Sequence, residues 1–189
     1  MDCEVMGVAG RLLVATPPME DPHFERAVVL VLQHDHDGAF GLVITRVAED
    51  VTVVDDGTLG AWLAHASAPN ELFGGGPVQQ NTVLGLARFT DGSDRSWASP
   101  VVLGLCTVDL DSDATNGHEC RDLRLFVGYS GWGPLQLDGE IAAGYWFVVD
   151  ASADDPFDDT PATLWRRVLE RDPAHREWVV GFPDDPTLN

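Results

Sequence analysis

The sequence predicts a single α+β domain with a mixed, mainly antiparallel sheet and flanking helices. Hairpin patterns outnumber strand–helix–strand repeats, which favours antiparallel neighbours over a doubly wound parallel sheet. The length of 189 residues suits one domain over 1–189, with a core from about 7 to 182 and room for a small subdomain within it. A hydrophobic fraction of 44% excludes wholesale disorder.

The first part of the chain predicts a short strand followed by a hairpin. The strand covers Arg11–Ala15 and leads into a proline-rich, extended loop over 16–22. The next strand, Arg26–Gln33, has no polar face, so we expect it to be covered on both sides. Turn residues at 34–38 connect it to a strand over Ala39–Thr45.

The rest of the chain predicts three helices between further strands. Thr58 begins a short helix that ends before Pro69. A tight bend at Gly131–Gly133 precedes a helix from Pro134 to about Ala143, and Pro161 begins a helix that continues to about Arg171. The predicted strands are Glu71–Phe73, Thr82–Ala87, Val101–Val108, Asp122–Tyr129, Tyr145–Val149 and Trp178–Val180.

Charge is the strongest compositional feature. There are 31 acidic side chains against 11 basic ones, all arginine, and the net charge is −20. Such a charge repels phosphate backbones and anionic membrane surfaces, because both bind through clustered cations. We therefore expect protein or small-molecule partners, and neither nucleic acid nor a membrane.

The expected location is the cytoplasm. The longest apolar run, Ala27–Leu32, is far shorter than the roughly 18–20 residues that cross a bilayer. Asp2 and Glu4 stand where a signal peptide would carry basic residues. The cysteine count is odd and includes no CxxC pair, which is typical of reduced cytosolic thiols.

Several segments, in this order, resemble the YqgE/AlgH family of bacterial proteins. The stretches that carry the resemblance are Gly10–Pro17, Asp21–Phe24, Val28–Leu42, Gly75–Val78, Gly128–Pro134, Gln136-Leu137, Glu140-Ile141 and Phe182–Asn189. This chain has Thr45 and Val47 where the family usually has Asn and Pro around Arg46, and Leu135 where glycine is common. We expect Thr45 to weaken an amide-based contact there, and Leu135 to narrow the bend.

The resemblance implies a fold more than a chemistry. It implies one α/β-type fold with a strongly curved sheet and flanking helices, sometimes divided into two subdomains. Members are labelled transcriptional regulators, because one is associated with control of alginate production. The family has no agreed activity, ligand or catalytic residues, so the resemblance assigns no site residue.

Three motifs are candidates for a ligand or partner surface. His34 and Asp35, with His36 and Asp37, could bind a metal, although adjacent turn residues point in different directions and a solvated turn explains them as well. Gly75 and Gly76 could bind an anion through backbone amides, but a close backbone crossing is the favoured interpretation.

The third motif is Ser130-Gly131-Trp132. It begins like a nucleophile elbow, but Trp132 replaces the second glycine of G-x-S-x-G, so we favour a packing role. No catalytic residue, metal ligand or cofactor is predicted.

Two further groups of residues carry weaker hypotheses. Cys106 and Cys120 flank one acidic loop and would form a redox-sensitive pair if their strands paired directly. Four arginines near the C-terminal helix could form a docking face for an acidic partner: Arg166, Arg167, Arg171 and Arg176.

Three functions remain open at the level of sequence. The first is a non-enzymatic regulatory or protein-interaction domain in the cytoplasm. The second is an enzyme or small-ligand binder, which requires the Gly128–Pro134 bend, Gly75-Gly76 and His34-Asp35 to share a cleft. The third, a direct transcriptional regulator, is disfavoured by the net charge.

Overall fold

The computed structural model describes residues 7–19, 21–49 and 57–180. Its strands are β1 (Arg11–Ala15), β2 (Val28–Asp35), β3 (Gly38–Val43), β4 (Leu72–Gly74), β5 (Val78–Phe89), β6 (Ala98–Pro100), β7 (Leu105–Val108), β8 (Cys120–Trp132) and β9 (Trp146–Asp150). Its α-helices are α1 (Thr58–Leu63), α2 (Gln136–Ala142), α3 (Pro161–Arg171) and α4 (Arg176–Val180). Short 3₁₀ helices cover Ala114–Glu119 and Asp155–Phe157.

All nine strands belong to one strongly curled, half-barrel sheet. The strand order is β6-β7-β5-β8-β3-β2-β1-β9, and β4 pairs with β8 outside this path. The β4–β8 pair is parallel and every other strand pair is antiparallel. The predicted α+β class with a curved, mainly antiparallel sheet is therefore confirmed.

Both faces of the central strands are buried, as the apolar β2 pattern predicts. Alternate side chains of a strand point to opposite faces. In β2, Leu30 packs in a core cluster that includes residues of α3, while Val29 packs in a second cluster with Leu137 of α2. A third cluster lies around Trp62 of α1. The sheet is thus enclosed by helices and loops, and α2 and α3 lie on opposite faces.

The predicted strand over Val101–Val108 is confirmed from Leu105 onward, but residues 101–104 form the turn of a hairpin. Strand β6 ends at Pro100 and β7 starts at Leu105, and Leu105 N donates to Val102 O across a two-residue turn. Leu103 and Gly104 have φ values of 55° and 72°, the left-handed conformation that such tight turns require. Sequence periodicity missed the turn because apolar residues occupy most of its positions.

The prediction of a strand over Trp178–Val180 is wrong, since these residues end α4. The amides of His175 and Arg176 donate to Asp172 O, which forms a local turn just before that helix. A short apolar run fits a strand or a buried helical turn equally well, so its length could not separate the two.

The predicted bend at Gly131–Gly133 is also misplaced. Strand β8 continues through Trp132, because Gly131 and Trp132 pair with Phe40 and Ala39 of β3. The chain turns at Gly133–Leu135, and α2 begins at Gln136 rather than at Pro134. Long-range pairing has overridden the local glycine signal.

Several parts of the sequence interpretation lie outside the described residues. They are Asp2 and Glu4, the first of the three cysteines (Cys3), and the family-like stretch Phe182–Asn189. Within the described residues, no helix combines the length and apolar character needed to cross a bilayer.

Candidate functional site

The predicted site residues fall into two groups, one around Trp132 and one around Ser130 of β8. Ala39 of β3 lies between His34 of β2 and Trp132 of β8, so these two residues share one level of the sheet. Ser130 lies two residues earlier on β8 and contacts Gly75 instead. The structure therefore brings some of the residues together in pairs, without gathering them around one cleft.

Gly75 and Gly76 cross β8 at very short range. Gly75 N donates to Val127 O, and Gly75 O accepts from Val43 N, each at 2.9 Å. A Cβ at Gly75 would lie 2.3 Å from Gly128 O, and one at Gly76 would lie 2.4 Å from Tyr129 backbone atoms. The favoured interpretation, a close backbone crossing, describes this segment. The Gly75 amide is already bonded and cannot hold an anion.

Ser130 is sealed inside the same crossing. It has no solvent exposure, and its hydroxyl donates to Gly75 O at 3.2 Å. A nucleophilic serine needs a base to receive its proton and an open path for substrate. The Ser130 hydroxyl donates its hydrogen bond to a main-chain carbonyl oxygen. It therefore holds the glycine segment against β8, and this is not the arrangement of a nucleophilic serine.

His34, near the end of β2, contacts both the segment before β1 and helix α2. Its side chain is 2% exposed, its Nδ1 accepts from Val8 N at 3.2 Å, and its Nε2 lies 3.4 Å from Asp138 Oδ2 of α2. Because Nδ1 accepts, the neutral ring carries its proton on Nε2, facing the Asp138 carboxylate. His34 thereby connects the start of the described chain, the end of β2 and α2.

Asp35 turns away from His34 into the β2–β3 turn. Its carboxylate accepts from Gln33 Nε2 at 2.6 Å and from Asp37 N at 2.8 Å, and these bonds lower the pKa of Asp35. Carboxylate and imidazole groups of Asp35, His36 and Asp37 lie within 4.8 Å of one another on this surface turn. The bonds of Asp35 are those of an ordinary aspartate turn.

Trp132 contributes to a buried aromatic group with Phe24 and Trp146. Ring centroids in this group lie 5.4–6.3 Å apart. Both indole N–H groups donate to the same oxygen, Glu140 Oε2, at 2.8 Å from Trp132 and 2.9 Å from Trp146. Gln136 Nε2 donates to the other oxygen at 3.0 Å. Trp132 is 7% exposed, so its role is to fasten α2 to the sheet.

Sequence reasoning assigned no such role to Glu140. The available signal was the spacing of Gln136 and Glu140, which puts both side chains on one face of a helix. Buried indole N–H groups need acceptors, so two tryptophans close to a lone helical glutamate could have indicated the contact.

The described residues also form an open cleft of about 1020 Å³. The described residues that line it are His23, Val43, Thr45, Arg46, Val47, Ala48, Glu49, Gly74, Gly76, Gln80, Asn81, Val127, Pro161 and Ala162. Of the predicted site residues only Gly76 belongs to this set. The lining comes from several segments distant in sequence and joins valine side chains to exposed polar groups.

Arg46 lines the cleft, and two hydrogen bonds hold its guanidinium group in place. Its Nη1 donates to Pro22 O and its Nη2 to Glu25 O, both at 2.6 Å, which connects the 21–25 loop to the cleft wall. Burial lowers the pKa of Arg46, while the charges of Glu25 and Asp21 act against that shift. Its neighbour Thr45 accepts from Val28 N through its hydroxyl, so the threonine keeps a structural bond at this position.

A smaller cavity of about 330 Å³ contains an internal charge network. Arg88 lines it and pairs at 2.6 Å with both Asp122 and Asp154. Behind it, Arg124 is 1% exposed and donates to Asp158 O and Ala68 O. Burial lowers the pKa of Arg124 to about 10, against the opposing charge of Asp158. Acids and arginines in this region therefore balance each other inside the protein.

The arginines of α3 are also used internally. Arg167 pairs with Asp158 at 2.5 Å, and Arg171 pairs with Asp155 at 2.6 Å. These carboxylates already bind the two guanidinium groups that an acidic partner would need. The hypothesis of an arginine docking face on this helix therefore loses two of its four residues.

The condition for a redox pair at Cys106 and Cys120 is not met. Cys106 lies opposite Ala87 and Cys120 opposite Phe89, so β5 separates their strands. Burial raises the pKa of both thiols, and that of Cys120 reaches about 11. Neither thiol has the low pKa of a reactive cysteine.

Comparison with known proteins identifies relatives over nearly the whole chain. A family model described as AlgH-like matches residues 12–175. A UPF0301 protein of Streptomyces avermitilis is 40% identical over 193 residues, covering 98% of this chain and 97% of that protein. A UPF0301 protein of Mycobacterium leprae is 35% identical, with 96% and 90% covered.

Solved structures match the fold. A crystal structure of a Corynebacterium diphtheriae protein has a TM-score of 0.80 at 29% identity and covers 92% of each chain. The solution structure of the AlgH protein from Pseudomonas aeruginosa has a TM-score of 0.67 at 22% identity, with 97% of this chain and 98% of that chain covered. The second similarity concerns the fold alone.

Proposed function

The chain belongs to the AlgH-like family, and we propose that it is a non-enzymatic regulatory protein of the cytoplasm that binds a protein partner in the open cleft. The observation that carries this proposal is the character of the cleft. It is an open cleft of about 1020 Å³ whose described lining joins valine side chains to exposed polar side chains.

The lining suits a protein segment better than a reaction. Val43, Val47 and Val127 offer apolar contacts, while Gln80 and Asn81 are exposed polar groups that can hydrogen-bond. Protein-binding surfaces combine apolar contact with polar groups at the rim. Ser130, His34 and Trp132, which the sequence marked as candidates for a ligand or partner surface, have partners outside the cleft.

Electrostatics support a protein partner over a polyanion. Duplex binding needs a surface of cations that release counterions. Here the net charge is −20, and Arg88, Arg95, Arg167 and Arg171 are paired with carboxylates within the chain. A direct transcriptional regulator would need those arginines free.

The test fills the cleft without straining the fold. Gly74 lines the cleft, and a Cβ added there meets no atom within 4 Å, so Gly74→Leu projects a side chain into the open space. Gly92 has the same freedom in an exposed loop, which makes Gly92→Leu the matched control. Both variants should unfold at close to the wild-type urea concentration.

Binding is measured with the three proteins immobilised at equal density in native lysate. We expect a reproducible partner on wild-type protein and Gly92→Leu that is lost on Gly74→Leu. The purified partner should then bind wild-type protein by titration calorimetry, at least roughly tenfold tighter than Gly74→Leu, since one blocking side chain removes several contacts. Equal binding to a folded Gly74→Leu variant would remove the cleft from the proposal.

A further inference from the structure

Arg46 differs from six other arginines of the described residues in what balances its charge. Six arginines have a carboxylate oxygen within 4 Å: Arg11, Arg88, Arg95, Arg121, Arg167 and Arg171. Among the described residues, Arg46 bonds to two main-chain carbonyls, and Glu25 and Asp21 act on it from beyond ion-pair distance. Arg124 has the same kind of bonds, but Arg46 lines an open cleft and Arg124 is 1% exposed. The positive charge of Arg46 therefore has no direct counter-charge among the described residues.

The two hydrogen bonds of Arg46 hold its side chain in place and leave other N–H groups available to a ligand. A guanidinium has five N–H donors, and Arg46 uses one on each Nη atom. The Nε–H and the second N–H of each Nη remain for another acceptor. Because the two carbonyl bonds already fix the group, a bound anion would not have to immobilise a free side chain.

The surroundings limit what kind of anion fits. Val43 and Val47 line the cleft beside Arg46, and His23 lines it without a side-chain hydrogen bond among the described residues. Glu49 also lines it, and the whole chain carries −20, so a ligand with many negative charges is repelled. A single carboxylate suits the planar guanidinium fork and the apolar wall together.

We propose that the cleft contains an anion subsite in which Arg46 binds an acidic side chain of an otherwise apolar partner segment. The protein origin of that carboxylate rests on the function proposed above. The subsite itself does not, because Arg46 can be tested with a small carboxylate alone.

The first experiment uses acetate as the probe. Arginine Nε–Hε signals are followed by ¹⁵N NMR as sodium acetate replaces sodium chloride at constant ionic strength. We expect a saturable shift of the Arg46 signal that the carboxylate-paired Arg88 and Arg171 do not show. A linear drift of the Arg46 signal, or equal shifts at all three, would overturn the subsite.

Charge variants test the same subsite without touching the bonds of Arg46. Asn81→Asp adds a negative charge to the cleft lining, and Asn116→Asp adds one in a distant 3₁₀ helix. We expect acetate binding to weaken roughly threefold in the first variant and to stay unchanged in the second, as for a partly screened pair of like charges. Glu49→Gln should strengthen binding. Equal effects of Asn81→Asp and Asn116→Asp would contradict the proposal.

The partner experiment separates the two proposals. Arg46→Gln removes the charge and keeps an N–H donor for one loop carbonyl, and its folding is checked by urea unfolding. Partner binding should weaken roughly tenfold, the loss expected for a charge-assisted hydrogen bond. If Gly74→Leu abolishes partner binding and Arg46→Gln leaves it unchanged, the cleft function stands and the carboxylate subsite falls. If acetate binds at Arg46 and Gly74→Leu still binds the partner, the subsite stands and the docking function falls.

Discussion

Replacing Glu140 with leucine should destabilise the protein, because it removes the shared acceptor of two buried indole N–H groups. Glu140 Oε2 accepts the indole N–H groups of Trp132 and Trp146, which are 7% and 3% exposed. A buried donor that loses its acceptor costs about 1–3 kcal/mol, so two cost about 2–6 kcal/mol. Glu140 is itself half-buried, which lets water reach part of the site, and we expect a loss of about 3 kcal/mol in unfolding free energy.

Two variants separate the lost acceptor from other effects of the change. Glu140→Gln keeps one acceptor oxygen but removes the charge that strengthens both bonds, so its expected cost is about 1 kcal/mol. Glu170→Leu makes the same substitution on the exposed side of α3, where no hydrogen bond is lost among the described residues, and should change stability by less than about 0.5 kcal/mol.

The assay is urea unfolding followed by tryptophan fluorescence and by circular dichroism. The two affected indoles report directly on the site, and the second signal reports on the whole domain. The reasoning would be refuted if Glu140→Leu cost no more than Glu170→Leu. It would also be refuted if Glu140→Gln cost more than Glu140→Leu, because the amide retains an acceptor that leucine lacks.

Three further predictions test backbone geometry and thiol chemistry. Gly75→Ala should lower the free energy of urea unfolding by about 3 kcal/mol, because its Cβ would lie 2.3 Å from a backbone oxygen of β8. Gly74→Ala is the control and should be nearly neutral, because a Cβ there has open space around it. Equal stabilities of the two variants would contradict the close crossing. Leu135→Gly should raise the unfolding free energy by about 0.5–1 kcal/mol, because Leu135 has φ of 60° with its side chain 67% exposed, and a fall in stability would argue against strain at that residue. The pKa of Cys120 is about 11, against an ordinary 9.0. Its reaction with iodoacetamide at pH 8, followed by mass spectrometry, should therefore be about a hundredfold slower in the native protein than in urea. Equal rates would show an accessible thiolate.

Local composition was enough to predict the central hairpin. The run from Val28 to Leu32 has no polar side chain, which is typical of a strand buried on both faces, and the turn residues Asp37-Gly38 favour a hairpin over a buried helical turn. The structure places β2 and β3 around that turn, with Val29 and Leu30 in different core clusters. Both signals lie within a few residues, so no long-range information was needed.

The glycines around β8 could not be interpreted in the same way. Gly131 suggests a bend locally, but its pairing with Phe40 keeps it in the strand. Gly75 is required because Gly128, more than fifty residues away, passes within 2.3 Å of the position of its Cβ. Such a requirement exists only in three dimensions, and it also hides the reason for Ser130, whose hydroxyl serves the same crossing.

The cleft was missed for a related reason. Its described lining comes from residues 23, 43, 45–49, 74, 76, 80–81, 127 and 161–162, which are unremarkable in type and distant in sequence. Sequence reasoning favours residues with reactive side chains close together, and those residues proved to have structural partners. Arg46 is an arginine of this lining with no carboxylate oxygen within ion-pair distance among the described residues, a property that no sequence pattern records.

The scarcity of cations makes that unpaired charge informative. In a chain with 11 arginines and 31 acids, a nearby carboxylate is easy to find, and six described arginines have one. Arg46 instead keeps its charge half-buried in an open cleft, where desolvation makes an unbalanced charge costly. A partner carboxylate would remove that cost, while the surrounding negative field would still repel a polyanion. On the function proposed above, this charge distribution would favour a single acidic side chain in an apolar context over nucleic acid.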